Sequence, residues 1–195
     1  MTTTFASRYV QAISRAMEST QASLADGAPI DLDSAFEKAC ELADRLKKSG
    51  GVLYFVGNGG SAMMSGHMAV DFCKNGGVRS LALNDPAFLT AIGNDMSYVN
   101  IFDMPISALG RSEDALVTIS SSGNSPNVVA AIKAARKLGM TVVTFSGMSP
   151  NNQSRTSGDI NFWVPGKTYG IAESVHAVLL HCWLDRYLKV AEWEK

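Results

Sequence analysis

The sequence is poor in cysteine, nearly balanced in charge and short of long apolar runs. Its three cysteines, Cys40, Cys73 and Cys182, are scattered and odd in number, with no C-x-x-C pair. This spacing excludes a disulfide framework and fits structural thiols in a reducing compartment. A formal net charge of −1 gives no electrostatic case for nucleic acid as a partner. No stretch approaches the length of a membrane span, and MTTTFASRYVQAISRAMEST has no apolar core of the signal-peptide kind. The expectation is a soluble, cytoplasmic protein with neither nucleic acid nor membrane among its partners. What is present suffices for a core: 46% of the 195 residues are hydrophobic and 18% charged, too apolar for disorder. One domain is expected, with a helical arm over residues 1–50 and an α/β core over residues 51–195.

The chain is organised around residues 52–76. Val52 to Val56 is a short apolar run that reads as a buried strand. It breaks at Gly57-Asn58-Gly59-Gly60-Ser61, and a helix follows from Ala62 until Asn75-Gly76-Gly77 stops it. A strand, a glycine turn and a helix N-terminus together point backbone N–H groups at an anion, and small residues let a phosphate approach the main chain. Along the same helix His67 and Asp71 are four residues apart and share a face. The same turn also fits the loose dinucleotide pattern Gly57-x-Gly59-x-x-Ala62. Asp85 stands rather far from it for a ribose-binding acid, however, and that pattern alone is weak.

Two helices are expected before this unit, over residues 4–25 and from a cap at Asp31 or Asp33 to about Lys48. Both are more than one small sheet needs, so one or both should pack against another subunit. After the unit come a strand at 79–83, a short helix opening at Pro86, a break at Gly93-Asn94-Asp95 and a helix from about Tyr98 to Leu109. A third strand at 115–119 runs into Ser120-Ser121-Ser122-Gly123-Asn124-Ser125-Pro126, a hydroxyl-rich loop in which Ser125 is a good N-cap and Pro126 the first helical residue. Strands at 141–145 and 160–164 follow, separated by a polar loop at 147–158, and a long helix runs from about Ile171 to Trp193. This alternation predicts a three-layer α/β/α sandwich on a five-stranded parallel sheet. Right-handed crossovers then bring the glycine turn and the serine loop to one edge, where a single phosphorylated ligand touches both. On the last helix Glu173 and His181 lie roughly on one side, but His176 is close to that side too, and spacing does not choose between the histidines.

Gly-Asn-Gly-Gly-Ser, then Gly-Asn-Asp, then Ser-x-Ser-Gly-Asn-Ser resembles the sugar isomerase (SIS) domain family. Within that family the chain is most similar to the phosphoheptose isomerases, which act on sedoheptulose 7-phosphate, and the likeness covers nearly the whole chain. The resemblance implies a homotetramer with active sites between subunits and a substrate site formed by Asn58, Gly59, Gly60, Ser61, Asn94 and Asp95. It implies that Ser120, Ser121, Ser122 and Ser125 hold the phosphate. It also implies one Zn²⁺ per subunit on His67, Asp71, Glu173 and His181, and it is the resemblance that selects His181 over His176. Asp71 and His181 would be the catalytic base and the opposing acid/base, with Asp71 and Glu173 also touching substrate.

Three positions depart from the family pattern. Asp71 stands where the family has glutamate, Glu173 where it has glutamine and Gly170 where it has aspartate. With two histidines and two carboxylates the zinc shell would be formally neutral and the metal a weaker Lewis acid. The implied reaction is a ketose–aldose isomerisation through an enediol. The alternative from a different class is a non-catalytic SIS-domain regulator that binds a sugar phosphate and a protein partner such as a replication initiator. Such relatives lack the metal residues, whereas this chain keeps ligating side chains at all four positions.

Overall fold

The structure, a computed structural model, describes residues 4–192. Helix α1 (Phe5–Glu18) opens at Thr4, whose hydroxyl accepts from the Ser7 amide. It stops well short of residue 25. Residues beyond Thr20 form a hairpin instead, with β1 (Gln21–Leu24) and β2 (Pro29–Ile30) joined through Gly27 in the left-handed region. The reason is tertiary: β1 pairs antiparallel with the strand at Ile160–Val164 and satisfies backbone groups that would otherwise form a free sheet edge.

Helix α2 (Leu32–Ser49) starts at Asp31, whose carboxylate accepts from Ser34 N at 2.8 Å, and ends at Gly50. Then follow β3 (Leu53–Gly57), α3 (Gly60–Lys74), β4 (Ser80–Ala82), α4 (Pro86–Asp95), α5 (Asn100–Leu109), β5 (Ala115–Ser120), α6 (Pro126–Lys137), β6 (Thr141–Gly147), a 3₁₀ turn at Ser154–Thr156, β7 (Ile160–Val164) and α7 (Tyr169–Leu188). The expected break at Gly93-Asn94-Asp95 is instead the last turn of α4. The last helix ends at Leu188, before a left-handed Lys189, and Trp193 lies outside the described residues.

The sheet order is β2-β1-β7-β6-β5-β3-β4. The five strands from β3 to β7 are parallel, as expected, and the hairpin extends them to a mixed seven-stranded sheet. One face packs against α1, α2, α3 and α7, the other against α4, α5 and α6. Helix α2 is part of the core, burying Ala35, Phe36, Ala39, Leu42, Ala43 and Leu46. Helix α1 is different: only Ala16 is buried, while Phe5 and Val10 are 76% and 65% exposed.

The helices α3 and α7 are fixed side by side by aromatic packing. Phe72 meets Trp183 at 4.7 Å between ring centroids, and both side chains are fully buried. This contact sets the separation of the two helices that carry the site. Among the described residues no helix is long and apolar enough to cross a membrane.

Candidate functional site

Strand β3 passes into α3 through a turn that needs its glycines. Gly59 has φ +54 and ψ −122, a conformation that side chains with a Cβ rarely adopt. At Gly57 a Cβ would stand 2.7 Å from Ser61 Cβ and 2.9 Å from the Ile119 carbonyl. The amides of Gly59 and Gly60 donate to no acceptor among the described residues, so the N-terminus of α3 offers free donors.

Asn58 is held by a reciprocal pair. Its Nδ2 donates to Asn127 Oδ1 at 3.0 Å, and Asn127 Nδ2 donates back to Asn58 Oδ1 at 2.8 Å. The Tyr98 hydroxyl also donates to Asn58 Oδ1, at 3.2 Å. Asn127 is 2% exposed and ties the glycine turn to the serine loop. Sequence reasoning missed it, because an asparagine in the first turn of a helix carries no signal of a long-range partner.

The serine loop lies beside this turn. Ser125 starts α6 without capping it; its hydroxyl turns to Ser120, 3.4 Å away. Gly123 is left-handed, and a Cβ there would strike Asn152. Asn152 is buried and donates to the carbonyls of Gly147 and Ser149, which anchors the polar loop at 147–158 beneath the serines. A cavity of about 150 Å³ results, lined by Asn58, Ser61, Ile119, Ser120, Ser121, Ser122, Ser125, Tyr169 and Glu173. Ser121 is 4% exposed and its hydroxyl has no partner among the described residues, an orphan that a bound oxyanion would satisfy. Tyr169 was not anticipated. Asn94 and Asp95 are not among the lining residues; they sit exposed at the end of α4, bonded to each other at 2.8 Å.

A second cluster lies between α3 and α7. His67 Nε2 stands 3.1 Å from His181 Nε2 and 3.3 Å from Asp71 Oδ2, and the three donor atoms all lie within 4.8 Å of one another. His181 Nδ1 is 2.8 Å from the Ala177 carbonyl, which only accepts, so Nδ1 carries the proton and Nε2 of the neutral ring presents a lone pair. Two ring nitrogens this close need one proton or one cation between them. Ligands on a tetrahedral zinc at ordinary bond lengths are separated by about 3.3 Å. The donor set and its spacing therefore fit a divalent cation of the zinc type.

The same packing sends the two histidines to different surroundings. His176 is fully buried, its Nε2 donates to the Ser146 carbonyl at 3.0 Å, and Phe145 lies against it. Burial pushes its pKa down to about 4, partly opposed by the bond to Ser146. It is a neutral core histidine and lies outside the donor trio. Glu173 also lies apart from the trio. Both its carboxylate oxygens sit near the Gly60 Cα, where a Cβ would come within 2.9 and 3.3 Å of them, and its side chain lines the serine cavity. At Gly170 a Cβ would stand 2.5 Å from the Tyr9 hydroxyl, so α1 occupies the space that a side chain there would need.

Comparison with known proteins identifies the family. A SIS domain family model matches residues 8–147. The chain is 36% identical over 145 residues to a phosphoheptose isomerase of Methylibium petroleiphilum, covering 70% of this chain and 72% of that relative. It is 35% identical over 162 residues to a phosphoheptose isomerase of Shewanella loihica, covering 79% and 82%. The solved structure of the phosphoheptose isomerase from Neisseria gonorrhoeae matches with a TM-score of 0.79 at 32% identity, covering 93% of this chain and 96% of that one. The family model, the relatives and the fold show that the chain belongs to the SIS domain family and stands among its phosphoheptose isomerases as an isomerase.

Proposed function

We propose that this sugar-phosphate isomerase converts sedoheptulose 7-phosphate to D-glycero-D-manno-heptose 7-phosphate through an enediol. The observation that carries the reading is the pairing of two features on the same two helices. Helices α3 and α7 hold a hydroxyl-lined cavity at their N-terminal ends and the donor trio farther along. Gly60 and His67 are seven residues apart on α3, roughly 10 Å along the axis, a gap that an extended sugar phosphate spans.

The phosphate is bound by the serine hydroxyls, with Ser121 supplying the donor that lacks a partner, and by the free amides of the glycine turn. That binding positions the reacting carbons at the other end of the site. His67, Asp71 and His181 would hold one Zn²⁺ per subunit; when bound it polarises the carbonyl and stabilises the developing oxyanion. Three protein donors leave a position for substrate, as in catalytic zinc sites. They also leave the shell with a net positive charge, which the four-ligand set including Glu173 would cancel. Asp71 is the base that takes the C1 proton of the ketose. Its Oδ2 faces His67, and its Oδ1, 3.5 Å from Asn75 Nδ2, is the oxygen left to accept a proton. His181 delivers a proton on the opposite face. The assembly is a cytoplasmic homotetramer with sites between subunits, a reading supported by the apolar side chains that α1 leaves exposed, Phe5 and Val10.

The test is an assay with sedoheptulose 7-phosphate, with and without added Zn²⁺, following the aldose phosphate. Asp71→Asn and His181→Gln are each expected to reduce turnover to background while thermal melting and circular dichroism stay unchanged. Near-normal turnover in either variant would remove that residue from its role.

A further inference from the structure

The cavity proposed to bind phosphate already contains an anionic side chain. Glu173 is its one charged lining residue among those described. The carboxylate is half-buried and makes no hydrogen bond or ion pair with any described residue. It rests instead at the first residue of α3, both oxygens close to Gly60. A carboxylate without a cation partner is stabilised at such a place by the field of the helix N-terminus, whose first amides still lack an acceptor. Those are the features that bind a phosphate. Ser121, 4% exposed and with a hydroxyl that has no partner among the described residues, lines the same cavity and marks it independently as a ligand site.

At about 150 Å³ the cavity is small, and two anions in contact within a partly dry site repel each other far more than in water. We infer that Glu173 is a resident competitor: its carboxylate occupies the anion cradle of the ligand-free protein, and a phosphate monoester enters only as that side chain leaves. This rests on the sugar-phosphate reading of the cavity and adds a threshold to it. A ligand must bring an anion strong enough to displace the internal one, so phosphate esters are selected over neutral sugars.

The experiment is isothermal titration of the metal-free full chain with inorganic phosphate, for the native protein, Glu173→Gln and Glu173→Ala, with thermal melts to establish folding. Both variants are expected to bind phosphate at least about tenfold more tightly than the native chain. A crystal structure of the native protein at saturating phosphate is expected to show the Glu173 carboxylate away from Gly60. Equal affinities in all three proteins, or phosphate bound with the carboxylate still against Gly60, would overturn the inference and leave the sugar-phosphate reading intact. Absence of phosphate binding in all three would overturn both.

Discussion

Lowering the pH should destabilise this protein through His176 in a way that can be worked out from its surroundings. The imidazole is fully buried between Phe145 and the Ser146 carbonyl, with Nδ1 lacking any partner among the described residues. Burial lowers its pKa from the ordinary imidazole value of 6.5 to about 4. In the unfolded chain the ring binds a proton below about pH 6.5; in the folded chain it stays neutral until about pH 4. Between these values the unfolded state holds more protons, so stability rises with pH and falls as the solution is acidified. The full contribution is present above pH 6.5 and is lost as pH drops through 4, a span worth roughly 3 kcal/mol at 1.36 kcal/mol per pKa unit. Urea denaturation of the native chain and of His176→Gln at several pH values across this window isolates the effect, because exposed groups titrate alike in both. The native chain should lose about 1.4 kcal/mol per pH unit more than the variant in the middle of the window. Parallel pH dependences, or an NMR titration midpoint for this ring near 6.5, would refute the burial argument.

Other consequences follow from the packing. Phe72→Ala should cost about 3–5 kcal/mol in urea unfolding, since the ring is fully buried against Trp183. The same variant should weaken Zn²⁺ binding measured by competition with a chromophoric chelator, because that contact sets the distance between α3 and α7. Ser121→Ala should leave stability unchanged or slightly raised, as it deletes a buried hydroxyl with no partner, yet raise KM for a phosphorylated substrate. A large loss of stability with unchanged KM would mean that the hydroxyl serves the fold and not the ligand.

Much of the site was legible because its signals are local. Glycines at 57, 59 and 60 are required by turn geometry that depends only on neighbouring residues. His67 and Asp71 meet because a helix places residues four apart on one face. The serine loop lines the cavity, where Ser125 turns to Ser120 and does not cap α6. Where a residue's role depends on a distant partner, the reading failed. Asn127 shows its importance only once β3 and β5 lie side by side and bring Asn58 within reach. Asn94 and Asp95 read as a break in the chain but form the end of α4 and are not among the residues that line the cavity.

By itself the sequence determined the order of the elements, the five parallel strands and the two loops at their edge. Hydrophobic periodicity, caps and glycine turns act over a few residues and need no knowledge of the rest of the chain. The tertiary structure alone decided the hairpin at residues 21–30, which exists because β7 offers an unpaired edge. It alone sent His176 into the core and His181 to the donor trio, since spacing along a helix fixes direction but not what waits there. It also set Glu173 in the serine cavity, beside the α3 N-terminus contributed by a segment more than a hundred residues away.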